Sequence, residues 1–517
     1  MVVIGLGFNV KMLAAFVVLP TFVLVYALGA PVPWRRRLLD LALAGVVVVA
    51  AALPWTLAYD LTPQAHRPFV GSSRQNSMVE LAVGHNAIGR FVRPARPVRA
   101  AGMGGSVGGE SAPVASSSAA LPLQAEFSRA VARLFVLAPV GPLRLGDGQL
   151  AGQVAWLLPL ALAGLVLGMG RVSLRRPLDP AHLALILWSG WALTYGVVYS
   201  YAGGIFHFYY LATLAPPLAA LAGVGVARLW RRYREGGWRA GLLPAALLAT
   251  AAWEVYVEWS ALGGTRDPLT ALFIGRGEGG VDWAWLHHAL IGGALVAASA
   301  LLLAVRRTRS GPARLLGAGA LGVGLAALLV VPVAWALSSV LVRGVPVLPS
   351  ADLYRLGPAY GTAEARARAR DQEAALTRAL IEFLRENRQG ERYLVATSST
   401  RLAAPIIIET GEAVMARGGF HGLDAIVTPE QLARLVETRQ VRFAMLGDLS
   451  PISRRLGGEV AGQPVADWVR AHGALVDPRL WRSSERVSWR LAARRAGMEL
   501  YDLRPDAGLV TPVPIQR

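Results

Sequence analysis

GGIFHFYYLATLAPPLAALAGVGVARLW, residues 203–230, opens on a histidine and two adjacent tyrosines, passes a proline pair and runs on as apolar chain into WRRYREGG. Its stretch 208–229 has the length of roughly 20 residues that crosses a bilayer as a helix. Aromatic side chains at the start of such a span suit the headgroup level, where a ring meets hydrocarbon and a hydroxyl meets water. The same side chains are placed to line a cavity for a headgroup, with Pro216 and Pro217 breaking the helix where protein or water satisfies the freed carbonyls. Both readings stand on the residues alone.

Further apolar segments of that length lie at 10–29, 38–58, 151–170, 181–200, 239–258, 285–305 and 312–341, which predicts eight spans. Their connections PWRRR (33–37), RVSLRRP (171–177), WRRYREGG (230–237) and RRTRSGPAR (306–314) fall on one side when the spans alternate. Short loops rich in arginine stay cytoplasmic. The other side then holds the N-terminus, a long loop at 59–150, the turn before His207, the loop 259–284 and everything after about 342. The expectation is a polytopic α-helical protein of the cell (cytoplasmic) membrane.

Composition agrees. The chain of 517 residues is 54% hydrophobic and 16% charged, too apolar for an ordinary soluble enzyme. Its net charge of +19 suits anionic headgroups or a phosphorylated lipid as well as nucleic acid, and the apolar spans select membrane lipids and exclude nucleic acid as the partner. Cysteine is absent, so neither disulfide nor thiolate chemistry is available.

Residues 1–341 read as the membrane domain, its loop 59–150 carrying a low-complexity insertion of small residues at 102–120, and residues 345–517 read as an extracytoplasmic domain. In that tail, 361–387 has a helical recurrence. YLVATS (393–398), PIIIET (405–410), AVMARGG (413–419) and VRFAMLGD (441–448) read as short buried strands. Thr428, Pro429 and Gln431 form a capping-box signature for a helix over 428–437. Alternating elements predict a small α/β domain. No GxGxxG follows the first strand, so no nucleotide-binding signature is present.

Polar residues at the outer face are the candidate site. Arg67, Arg74 and Arg90 with Asn76 and Asn86 form a set whose guanidinium forks match phosphate oxygens. Glu80 and His85 are candidates for a base or metal ligand, although their spacing matches no standard metal motif. Asn9 and Lys11 begin a span; the lysine either snorkels to the interface or counters a lipid phosphate. In WEVYVEW (253–259), Glu254 and Glu258 have helical spacing, with Glu258 expected at the interface and Glu254 one turn inside.

GLGFNVKMLAAFVVLP (5–20), DLTPQAHRPFVGSSRQNSMVELAVGHNAIGRF (60–91), PLRLGDGQLAGQVAWLLP (142–159) and GGIFHFYYLATLAPPLAAL (203–221) together resemble bacterial members of the glycosyltransferase family 39 superfamily. The resemblance is to its YkcB-like subgroup, related to protein mannosyltransferases and to the aminoarabinose transferase of lipid A. GGFHGLDAIVTPEQLARLVETRQVRFAMLGD (418–448) is similar to that subgroup's extracytoplasmic domain. The resemblance implies a GT-C-like fold and transfer of a hexose or pentose from a polyprenyl-phosphate-linked donor to an extracytoplasmic acceptor, with a divalent metal as the one cofactor in question. It implies a donor or acceptor cavity built from Asn9, Lys11, Arg67, Arg74, Asn76, Glu80, His85, Asn86, His207, Tyr209 and Tyr210. The family's catalytic acid lies in an outward loop after its first span, and the eight residues before Asn9 hold no carboxylate. The expectation is therefore a chain shortened at its start, inactive alone, with about five spans and the acid supplied by a partner chain, for about thirteen spans in all. The alternative is a non-catalytic lipid-linked-sugar binding or scaffold subunit.

Overall fold

The structure is a computed structural model that describes residues 1–73, 75–88, 91, 138–169, 178–203, 206–261, 283–305, 311–341, 351, 363–420, 422, 424–447, 463–482 and 498–508. The chain divides into two compact units, Met1–Trp55 with Ala82–Tyr360, and Thr56–Leu81 with Gly361–Arg517. The insertion at 102–120 lies outside the described residues, as do Arg74 and Arg90.

The first unit is helical. Its helices are α1 (Val2–Lys11), α2 (Leu19–Gly29), α3 (Trp34–Leu61, whose last turns belong to the second unit), α4 (Gly148–Val154), α5 (Leu158–Met169), α6 (Pro180–Tyr201), α7 (Ala215–Glu235), α8 (Leu242–Ala261), α9 (Trp283–Val305) and α10 (Gly311–Leu341). Among the described residues, five helices are long and apolar enough to cross a membrane, or seven if each of two bent pairs is one span. This is a multi-pass membrane protein, and its arginine-rich connections place the structurally distinct C-terminal region outside the cytoplasm.

Two of the eight expected spans are not straight. α1 with the 3₁₀ turn that follows it meets α2 at 86°, and α4 meets α5 at 70°. In the first pair Met12 adopts φ +49°, incompatible with continuing a right-handed helix, and Pro20 belongs to the first turn of α2. Apolar runs record hydrophobicity and are silent about such breaks. α9 is 23 residues long and apolar along its length, and Ile291–Ala304 is the apolar part of it that falls within the described side chains.

Helices α5 and α7 touch backbone to backbone. A Cβ on Gly164 would lie 1.9 Å from the Leu221 carbonyl oxygen, and one on Gly225 would lie 2.2 Å from that of Leu160. Lipid tails are as apolar as leucine, so close van der Waals packing and small residues, more than hydrophobic transfer, hold such helices together. Around the crossing, Leu160, Leu221, Leu229, Leu247, Leu302 and Leu328 are buried in one cluster.

In the second unit, α11 (Ala363–Glu386), α12 (Thr400–Thr410), α13 (Pro429–Glu437) and α14 (Gln463–His472) pack on a five-stranded sheet. Its strands are β1 (Ala396–Thr397), β2 (Met415–Ala416), β3 (Phe443–Leu446), β4 (Ala474–Leu475) and β5 (Glu499–Asp502), in the order β2-β1-β3-β5-β4. β1 is parallel to β2 and β3, with Ala396 opposite Met415 and Ala444; β5 is antiparallel to β3 and β4. Phe383, Val395, Phe443, Trp481 and Leu500 fill one side of the core. Within it, Arg442 and Asp502 form a fully buried pair with Nη2 2.8 Å from Oδ2, and Arg442 Nη1 donates to the Asn387 carbonyl at 2.7 Å.

PIIIET is not a strand. It closes α12, where Ala403 and Ile406 are buried while Ile408 is exposed, which is a helical recurrence in a β-branched sequence. Gly411 at φ +69° ends that helix in the left-handed conformation. The capping box on α13 forms as its sequence predicts: Thr428 Oγ1 accepts from the Gln431 amide, and the Gln431 side chain accepts from the Thr428 amide.

Candidate active site

In the membrane unit, α1 ends at Lys11. Its ammonium donates to Tyr209 Oη at 3.0 Å and lies 4.6 Å from the ring centroids of both Tyr209 and Tyr210. His207 stacks on Tyr209, with centroids 5.5 Å apart and planes at 11°, and meets Tyr210 edge-on. Both tyrosines stand on a 3₁₀ turn, Phe208–Leu214, whose tight winding sets neighbouring rings edge to face at 4.8 Å. Pro216 and Pro217 do not interrupt a helix: they sit in the first turn of α7, where a missing N–H costs nothing.

A lysine between two aromatic faces is held there because the ring quadrupoles attract a cation. One of its three N–H groups goes to Tyr209, which leaves two for an anion. The lysine is exposed at this site. Behind the cage the rings continue from Tyr210 to Phe206 and Tyr199. They end at Arg144, which is buried, lies 4.9 Å from the Phe206 ring and donates to the carbonyls of Tyr199 and Ala202 at the end of α6. Arg144 thereby anchors the turn that presents His207. Its place in PLRLGDGQL gives one sign of this, a lone arginine amid apolar residues.

Asn9 and Asn86 flank the Lys11 turn. Asn9 Nδ2 donates to the Ala51 carbonyl at 3.1 Å, tying α1 to α3, and Asn86 Nδ2 lies 3.3 Å from Met12 Sδ. Phe8, Ala52 and Ala82 pack beside them. The side chain of His85 lies outside the described residues.

In the second unit, the loop after α3 is braced by its own side chains. Arg67 Nε donates to the Thr62 carbonyl at 2.8 Å, Nη1 to that of Asn76 at 3.0 Å and Nη2 to that of Asp60 at 2.7 Å. Asn76 has φ +52°, a conformation that asparagine tolerates, and its Oδ1 accepts from Val70 N at 2.7 Å and Tyr59 Oη at 2.9 Å. Asp60 accepts from Ser77 Oγ, Met78 N and Val79 N, and Glu80 accepts from Gln75 N. Arg67 and Asn76 therefore fix the shape of this loop, and Asp60 and Glu80 close its backbone. Asp60 and Tyr59 went unnoticed in the sequence because their partners lie 9 to 19 positions onward.

Glu254 and Glu258 are both buried among protein side chains in α8, Glu258 at 2% exposure, and the apolar span of that helix ends at Glu258. Among the described residues, no three acidic or histidine side chains converge as a metal-binding group.

Residues 380–472 match the family described as "Putative mannosyltransferase YkcB-like, C-terminal". Over 551 aligned residues the chain is 30% identical to "Putative mannosyltransferase YkcB" of Bacillus subtilis (strain 168), across 93% of this chain and 70% of that protein. The chain belongs to the YkcB-like mannosyltransferase family. A second relative, "Putative mannosyltransferase YycA" of the same organism, is 30% identical over 498 residues, covering 86% of this chain and 68% of its own length. No solved structure matches the chain. The YkcB-like block at 380–472 contains β1, β2 and β3 with α12, α13 and α14, so the parallel part of the sheet is the family's own domain. The cage around Lys11 lies in the membrane unit of this YkcB-like chain.

Proposed function

We propose that the chain is a membrane glycosyltransferase of the glycosyltransferase family 39 superfamily, GT-C-like in fold, that moves a hexose or pentose from a polyprenyl-phosphate-linked donor to an extracytoplasmic lipid, glycan or protein acceptor. The observation that carries this is Lys11, held 3.0 Å from Tyr209 Oη and against two tyrosine rings at the end of α1, within a bent helix pair. A phosphate on a lipid chain is attracted by a lysine of this kind near the headgroup level. Membership of the YkcB-like family supports transfer chemistry in general, and the family's lipid-linked donors make the lipid phosphate the natural partner.

In an inverting transfer, the bond between the anomeric carbon and the phosphate oxygen breaks as the acceptor oxygen bonds to that carbon. The acceptor's proton goes to a base, and the departing lipid phosphate gains one negative charge. Lys11 offers preorganised stabilisation of that charge, with its donors aimed before reaction. His207 and Tyr210 shape the wall on which the phosphate and the first sugar rest. Arg67, Asn76 and Glu80 hold an outward loop of the second unit that is a candidate surface for the acceptor, with Arg74 and His85 as further candidates by sequence. The test is transfer of labelled hexose from a polyprenyl-phosphate donor in membranes containing the full chain. Lys11→Met should lower the rate about 100-fold, the scale of losing one preorganised donor. An unchanged rate removes Lys11 from the chemistry.

One observation favours the second reading, a lipid-linked-sugar binding or scaffold subunit. Asp60 and Glu80 are both committed to backbone amides, so neither is poised as a base. Donor binding without turnover in the same membranes selects that reading.

A further inference from the structure

Open α/β sheets place their working loops at the carboxyl ends of the parallel strands. Here those ends are laced together: Arg417 N donates to the Thr397 carbonyl, Thr400 N to that of Gly419, and Gly447 N to Ser398 Oγ. Gly418 and Gly419 follow β2. A Cβ on Gly418 would lie 2.3 Å from the Ser398 carbonyl oxygen, and one on Gly419, at φ +67°, would lie 2.1 Å from Asp424 Oδ2. Gly419 thus leaves the space that the Asp424 carboxylate fills, Gly418 packs against the Ser398 carbonyl, and Asp424 N donates back to the Gly418 carbonyl at 3.1 Å.

The same carboxylate holds a segment 352 positions away. Asp424 Oδ1 accepts from Ser72 N at 3.1 Å, and Oδ2 lies 3.2 Å from where a Gly71 Cβ would be. Ser72 has φ +65°, uncommon for a residue with a side chain. From there the bonds run on within one loop. Ser73 N and Oγ donate to Val70 O, Val70 N donates to Asn76 Oδ1, and Arg67 donates to Asn76 O and Asp60 O.

We propose that Asp424 is a positioning residue through which the α/β domain sets the shape of the outward loop 66–80. The strand ends that bind a small molecule in other open α/β folds serve here to hold a piece of the same chain. Its functional weight rests on the transferase reading, which uses that loop. The structural part stands without it.

The test is hydrogen–deuterium exchange of the full chain in lipid nanodiscs, with transfer measured on the same preparations. Asp424→Ala should speed exchange of peptides over 70–80 about tenfold, because a charge-assisted bond to the Ser72 amide is lost, while 393–397 and 441–446 keep their protection. Asp424→Asn retains one carbonyl oxygen for that amide and should restore most of the protection. Gly419→Ala, which displaces the carboxylate from the other side, should reproduce the alanine effect. Unchanged exchange over 70–80 in Asp424→Ala overturns the proposal, as does loss of protection throughout the sheet, which would make Asp424 a residue of the domain core alone. If wild type shows no transfer and loop exchange still responds, the transferase reading fails and the positioning stands. If transfer falls with no change in loop exchange, the reverse holds.

Discussion

Lys11 and Tyr209 lie 198 positions apart and meet through a hydrogen bond of 3.0 Å. The contact joins the end of the first helix to the turn before α7 and puts a cation against two rings. Tyr209→Phe keeps both ring faces and removes the accepting hydroxyl. Transfer should fall about tenfold, less than in Lys11→Met, since a hydrogen bond to a charged group contributes about 1.5–3 kcal/mol and this one is exposed. Lys11→Arg should fall between the two, keeping charge but changing the donor geometry. Rates measured side by side check the order.

The α5–α7 crossing predicts a fold defect independent of chemistry. Gly164→Val and Gly225→Val each force atoms into a neighbouring carbonyl, and separating the helices should cost at least about 1–3 kcal/mol. Thermal unfolding in detergent should show a lowered midpoint for each. Gly223→Ala, facing open space on the same helix, should leave the midpoint unchanged.

Arg442 and Asp502 are each about 1% exposed, and the guanidinium also donates to two carbonyls. Asp502→Asn leaves a buried charge uncompensated, which costs about 3–5 kcal/mol. Faster exchange across β3 and β5 in the full chain is the expected readout, with the Lys11 cage unaffected.

The α13 cap gives a pH prediction. Thr428, and then its own backbone amide, hold the Glu430 carboxyl below its ordinary range. A depressed folded-state value means the unfolded chain takes up the proton first as pH falls. The contribution of Glu430 is complete above about pH 5 and is lost as pH drops below its unfolded value near 4.3. Exchange at the start of α13 should rise across that acid window in wild type and be flat in Glu430→Gln. Thr428→Ala should weaken the helix by about 1 kcal/mol above that acid window and by less below it, where the bond from Thr428 to the Glu430 carboxylate is already lost.

Much of this fold is legible in the chain because crossing a bilayer constrains composition so strongly. The spans around 208–229 and 312–341, and the arginine-rich turns between spans, follow from length and charge alone. The bend at Met12 does not, since a single positive φ leaves no mark on hydrophobicity. PIIIET misleads because β-branched residues favour strands locally, and only the burial of Ala403 and Ile406 on one helical face decides otherwise. At the site, Arg67 has the composition of a phosphate ligand, yet its partners are carbonyls five to nine positions away that no residue pattern encodes. Asp424 was invisible for the opposite reason, its partner being 352 positions distant.

The most direct measurement of the central claim is a binding titration of the full chain in lipid nanodiscs with a polyprenyl-phosphate-linked hexose, for wild type and Lys11→Met. The account predicts saturable binding, competition by the sugar-free polyprenyl phosphate, and affinity at least about tenfold weaker in the variant, the scale of one charge-assisted contact to phosphate. Equal affinity in wild type and Lys11→Met would contradict it.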